Sequence, residues 1–154
     1  MEVALYNCPK TFTDVAIRLW TWSKYSHTEL RFDRIDDGPN KAHCFSSSGR
    51  DGGTRFKEID LTNGRWDRVT VNIPTYMENR IHAWCERRVG RKYDFKGIFG
   101  FVFGKNFQDP IKWYCSEICA AALRCNGVFD FPHKISPGKM AKFMRKDSGL
   151  FVPV

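Results

Sequence analysis

An α+β fold, an antiparallel sheet packed with helices, is predicted by three features of this sequence. The middle of the chain alternates apolar and polar residues between turn signals, as half-buried strands do. Stretches before and after it place apolar residues at the helical spacing of three and four. The length, 154 residues, suits one complete core and is short for two, so residues 1–154 are expected to form a single domain.

The elements follow in order. Glu2 to Tyr6 reads as a short strand. From Thr11, the residues Phe12, Val15, Ala16, Leu19 and Trp20 fall on one helical face, with Thr11 or Thr13 available as the cap. That helix delivers the chain to Ser26-His27. Leu30 and Phe32 then alternate with Glu29, Arg31 and Asp33, Asp36-Asp37-Gly38-Pro39 turns, and Ala42 to Ser48 returns, which makes a hairpin carrying His27 near one end. Gly49 to Gly53 turns again; Thr54 to Ile59 and Arg68 to Ile73 read as further strands separated by Asn63-Gly64, so an antiparallel meander is expected. After Pro74 the period becomes helical, with Met77, Ile81, Trp84, Cys85 and Arg88 on one face and Gly90 closing. Residues 95 to 107 are rich in Phe around Gly97, Gly100 and Gly104; they can be core or the wall of an acyl pocket. Pro110 cannot sit inside a helix, Ser116 and Glu117 suit a first turn, Ala120 to Ala122 propagate well, and Asn126-Gly127 supplies a left-handed stop. Cys115 therefore opens a helix. Ser136-Pro137 starts a last helix running to about Met144, and Leu150 to Val154 can pair as a final strand.

Composition narrows the class of protein. A hydrophobic content of 42%, with thirteen Phe and five Trp, argues for a packed globular chain. No run is long enough to span a bilayer, and Met1 to Leu5 begins like a strand rather than a signal peptide, so a cytoplasmic location is expected and the six cysteines are expected as free thiols. The net charge of +8 implies attraction to something acidic: nucleic acid, an anionic membrane surface or wall polymers. The basic residues Arg87, Arg88, Arg91, Lys92, Lys139, Lys142, Arg145 and Lys146 are mixed with acids as on an ordinary solvated face. No aromatic nucleic-acid signature or recognition helix stands out, so no specific nucleic-acid partner is expected, although a possible anionic surface is.

Chemistry is concentrated at two places far apart in sequence. A thiol at a helix start feels unpaired amides and the positive end of the dipole, which favour thiolate. The bland alternative is a buried cysteine that packs as a small apolar side chain. Against it stands Tyr25-Ser26-His27-Thr28-Glu29-Leu30, which supplies a histidine at the sheet, and a cysteine nucleophile needs such a base together with a third group that orients the imidazole. A cysteine at a helix start facing a histidine on a sheet is the papain-like arrangement, here with the histidine first.

Taken with Tyr93-Asp94 and Trp113-Tyr114-Cys115-Ser116-Glu117, the segment Ala16 to His27 resembles the circularly permuted NlpC-like cysteine hydrolases, which include YiiX-like enzymes and relatives of lecithin:retinol acyltransferase. The resemblance runs from the first helix to the cysteine helix and implies a papain-like fold in permuted order. It implies Cys115 as nucleophile, His27 as general base and Tyr93 as a tyrosine close to the thiol; the alternative for Tyr93 is an aromatic core residue.

The third group departs from the family's pattern, which tends to place His or Glu on the strand after the histidine strand. Here that strand reads His43-Cys44-Phe45-Ser46-Ser47-Ser48. If Leu30, Phe32 and Phe45 face the core, His43 goes with them, while Ser46 and Ser48 share the side of His27 and Glu29. A turn centred between Asp37 and Gly38 would set Ser48 opposite His27 and Ser46 opposite Glu29. Ser46, Ser48 and Glu29 are thus the candidates, and Glu29 could equally be a surface strand residue paired with an arginine.

The mechanism implied is acyl transfer through an acyl-enzyme on Cys115, on an amide of a peptide or peptidoglycan-type fragment or on a lipid ester or thioester. No cofactor is called for. Two other classes compete. One is a metal protein using Cys115, Cys119, Cys125 and a histidine, although structural zinc sites favour closer cysteine spacing. The other is a catalytically inactive papain-like domain acting as a basic module for an anionic partner.

Overall fold

The computed structural model describes residues 1–8, 12–33, 38, 41–94 and 112–154. Its strands are β1 (Glu2–Tyr6), β2 (His27–Phe32), β3 (Ala42–Ser48), β4 (Gly53–Ile59), β5 (Trp66–Val71) and β6 (Phe151–Pro153). Its helices are α1 (Phe12–Thr21), α2 (Thr75–Glu86), α3 (Cys115–Cys125) and α4 (Pro137–Met144). The six strands form one antiparallel sheet in the order β4-β3-β2-β1-β5-β6.

This order corrects the expected meander. The consecutive run stops at β4, and β5 lies across the sheet beside β1. The reason is burial: Val3, Ala4 and Leu5 are at most 1% exposed, so β1 needs a strand on each side and cannot be an edge. Asn63-Gly64 accordingly turns the chain away from β4 rather than closing a hairpin. Gly64 has φ 73°, and the Asn63 side chain donates to the Asp60 carbonyl and accepts from the Arg65 amide.

The β2–β3 hairpin has the register expected of it, with Leu30 opposite Phe45, Arg31 opposite Cys44 and Phe32 opposite His43. The turn itself lies largely outside the described residues, as does the Phe-rich segment, within 95–111. Against β2 and β3 packs α3, buried at every position from Cys115 to Leu123. Its run Ala120-Ala121-Ala122 lets the helix approach the sheet closely, and Ile118 and Leu123 join Leu30, Phe32 and Phe45 in the main core. Each large apolar side chain so buried contributes on the order of 1.5–3 kcal/mol.

The remaining elements hold this layer in place. Ser136 caps α4 by accepting from the Lys139 amide, Pro137 occupies the first turn, and Gly127, at φ 73°, ends the turn after α3. α2 ends at Glu86, a turn before Gly90. In α1 two of the apolar positions, Val15 and Leu19, are 42% and 72% exposed. Among the described residues no helix is long and apolar enough to cross a membrane.

Candidate active site

The start of α3 is fixed from three directions. Trp113 donates its amide to the Lys92 carbonyl at 3.1 Å, and its own carbonyl accepts from the Asp94 amide at 3.1 Å and from Ser47 Oγ at 2.6 Å. Tyr114 is the extended N-cap residue; its hydroxyl accepts from the Ile135 amide at 3.2 Å instead of capping the helix. Ser116 Oγ donates to the Ile135 carbonyl at 2.6 Å. Between these anchors Cys115 begins the helix, 3% exposed, at the positive end of the dipole.

His27 opens β2 and keeps 21% of its side chain exposed. Glu29, two residues along and therefore on the same side of the strand, places Oε1 2.7 Å from His27 Nε2. Glu29 is wholly buried and bidentately held by Arg55: Nη2 donates to Oε1 at 2.7 Å and Nη1 to Oε2 at 2.8 Å. Arg55 Nε in turn donates to Asp51 Oδ2 at 2.8 Å. Arg55 stands opposite Ser46 in the β3–β4 ladder, and the β2–β3 register carried on by one residue puts Ser46 opposite Glu29. The guanidinium thus reaches Glu29 across a small side chain, which leaves it room.

The thiol of Cys115 lies within hydrogen-bonding reach of the His27 ring. Since Nε2 is taken by Glu29, Nδ1 is the nitrogen left for sulfur. Burial opposes charge on His27, but the facing Cys115 and Glu29 outweigh it and raise the imidazole above its ordinary value. Burial likewise opposes charge on Glu29, and His27 and Arg55 outweigh it, so the carboxyl is held below its ordinary value. The array can sustain an imidazolium between two groups that gain from it.

Of the residues singled out in the sequence, the structure brings Cys115, His27 and Glu29 together. Ser46 is buried and donates to the Thr28 carbonyl at 2.6 Å, a strand-pairing role beside the site. Ser48 ends β3, its carbonyl accepting from the Asp51 amide at the turn into β4. Tyr93 bridges in parallel to Trp113, two residues before Cys115, and so helps fix the helix start through its backbone. His43 faces away with Phe45 and stacks on Phe56 at 4.7 Å between centroids. The other cysteines of the interior differ from Cys115 in their surroundings. Burial raises the Cys85 thiol, and burial together with Glu29 and Cys115 raises Cys119 well above the ordinary range.

Arg55 is the residue sequence reasoning missed. A signal was present: the Gly49–Gly53 turn sets β4 beside β3, and an arginine in the row of Ser46 is positioned to meet a carboxylate on β2. Trp66 was missed as well; its ring stands 6.4 Å from that of His27, edge-on.

No protein-family model matches the chain, nor does any curated protein. Among solved structures it is similar to the metalloprotein yiiX from Escherichia coli O157:H7, with a TM-score of 0.63 and 18% sequence identity. The match covers 83% of this chain and 66% of that one. At such identity the likeness is one of fold, and the chain has a yiiX-like arrangement of α and β elements.

Proposed function

We propose that the protein is a cysteine-dependent hydrolase or acyltransferase with a permuted papain-like site, acting on an amide or an ester or thioester bond through an acyl-enzyme. The observation that carries this reading is the placement of His27 between the Cys115 thiol and the buried, arginine-clamped Glu29. Cys115 gives its proton to His27 Nδ1, and the thiolate attacks the substrate carbonyl carbon, forming a C–S bond. The negative charge that develops on the carbonyl oxygen is met by first-turn amides of α3, which the Tyr114 side chain does not cap. As the tetrahedral species collapses, the bond to the leaving nitrogen, oxygen or sulfur breaks, and the imidazolium supplies that atom's proton. Water or another acceptor then attacks the thioester, His27 takes its proton, and the thiol is restored. Glu29 keeps Nδ1 aimed at sulfur and stabilises the charged ring, and Arg55 keeps Glu29 ionised.

The neighbour yiiX is described as a metalloprotein. The described residues do not offer a matching donor set: no group of three His, Cys, Asp or Glu side chains among them is arranged to hold a metal ion, and both oxygens of Glu29 are engaged by Arg55. The proposed partners are a peptide, a peptidoglycan-type fragment or a lipid acyl group.

The test is the pH dependence of iodoacetamide labelling, mapped over all six cysteines in the wild type and in His27→Ala. Cys115 is expected to react fastest of the six and to slow in the variant. Labelling of Cys115 no faster than that of Cys8, with no effect of His27, would overturn the reading.

A further inference from the structure

The end of α1 carries a feature that the proposed site does not use. Val15 and Leu19, four apart on α1, are 42% and 72% exposed, and Trp22, just past the helix end, is 93% exposed, so the three make a short apolar stripe along the chain. Single exposed apolar residues are ordinary, but three so close in sequence, one of them a tryptophan, are not.

Trp22 is unusual in its backbone as well. The Ser23 amide bonds to the Arg18 carbonyl at 3.1 Å and the Trp22 amide to the Leu19 carbonyl at 3.4 Å, the paired bonds of a Schellman helix stop. Trp22 occupies the left-handed position of that stop, with φ 47°, the one positive φ outside glycine among the described residues. Glycine is the usual occupant because a side chain there is strained. At 93% exposure Trp22 gains little packing among the described residues to offset that strain. A contact from outside the chain would offset it.

We propose that this stripe docks the protein on an anionic lipid surface. Tryptophan favours the boundary between water and lipid, where its ring is buried and its N–H stays hydrated. A convex stripe of three side chains suits a soft planar medium, and its small area gives reversible binding that needs an electrostatic partner. The chain supplies one: its net charge is +8, and Arg18 and Lys24 stand next to these residues in the sequence. Arg18 Nη1 donates to the Asn7 carbonyl and Lys24 Nζ pairs with Asp67, yet the Lys24 side chain remains 54% exposed. Anionic lipid attracts such juxtaposed cations. The chain from Trp22 to His27 is tied down by Tyr25 Oη on Asp67 at 2.6 Å and the Ser26 amide on the Tyr6 carbonyl at 3.1 Å. Docking would therefore hold His27 at a set offset from the lipid. The inference concerns where the protein sits and stands whether or not Cys115 is a nucleophile.

The experiment is co-sedimentation of the full chain, as Cys115→Ala so that no turnover intervenes, with vesicles of phosphatidylcholine alone or mixed with phosphatidylglycerol. Binding to the mixed vesicles is expected, reduced by about tenfold or more in Trp22→Gly, while the melting temperature of that variant is unchanged or raised. Leu19→Ser, which leaves the helix stop intact, is expected to weaken binding as well and covers the case in which Trp22→Gly folds poorly. Equal binding by these variants and the parent, or no binding of the parent to the mixed vesicles, would overturn the proposal. So would a dimer of the parent that Trp22→Gly converts to monomer, because the stripe would then be covered by a second copy.

Discussion

His27 and His43 stand on neighbouring strands of one sheet, and their surroundings divide them. His27 has a buried carboxylate at 2.7 Å on one nitrogen and a thiol within reach of the ring. His43 lies flat on Phe56 and meets His82, with 3.4 Å between the two Nε2 atoms, while Phe56 and Phe32 pack around His82. The first ring is held edge-on by charge and the second face-on by aromatic packing. Residue type and strand position are nearly the same in the two cases; the neighbours decide which imidazole has a carboxylate and a thiol to exchange a proton with.

The comparison breaks most directly at the level of activity. Against an activated acyl ester, Cys115→Ala and His27→Ala are each expected to lower kcat/KM by about 10⁴ or more, whereas His43→Phe should change it by no more than about threefold. A loss with His43→Phe comparable to that with His27→Ala would erase the distinction. Glu29→Gln keeps the shape but removes the charge, and a fall of about 10²- to 10⁴-fold is expected. Because Glu29 stabilises the imidazolium and raises its pKa, its loss should also move the alkaline limb of kcat/KM to lower pH; an unmoved limb would deny Glu29 that role.

Stability sharpens the same contrast. Arg55→Ala leaves a wholly buried carboxylate without its cation and should cost about 3 kcal/mol in urea unfolding near neutral pH. Glu29 has its folded-state pKa lowered, so its contribution is present above the unfolded value and fades as pH falls through the folded one. The gap between wild type and Arg55→Ala should accordingly narrow in acid, and a gap independent of pH would point to packing alone. Ser46→Ala is the smallest change: loss of the bond to the Thr28 carbonyl should cost about 1 kcal/mol and leave kcat/KM within about twofold, where a large loss of activity would restore Ser46 as the orienting group.

How far the sequence revealed this arrangement can be followed residue by residue. The hairpin register was legible because strand parity and a turn centred between Asp37 and Gly38 allow few alternatives, and it correctly sent His43 to the other side. The helix start at Cys115 was legible from local chemistry, with its stop at Asn126-Gly127. Long-range choices were not. Nothing local says that β1 slips between β2 and β5; only the near-total burial of Val3 to Leu5, a property of the packed chain, demands it. Arg55 escaped for a related reason, since a carboxylate on β2 and an arginine on β4 meet only after three strands are aligned. The apolar face of α1 was visible as a pattern, but a pattern does not say which of its residues are turned outward.

The crowding at Gly53 bears on how the protein behaves at high concentration. A Cβ at this position would overlap the Arg91 carbonyl, so the segment after α2 lies directly along the outermost strand. Thr54 donates its amide to the Arg91 carbonyl and accepts from the Gly90 amide, each at 2.9 Å, and Thr54 Oγ1 donates to the Arg88 carbonyl. Farther along β4, Lys57 and Glu58 are exposed charges, and among the described residues the opposite rim is the short β6, Phe151–Pro153. Neither rim of the sheet is long, bare and apolar, the form on which a second chain would add strand to strand, so this fold is guarded against fibrillar growth at both sides.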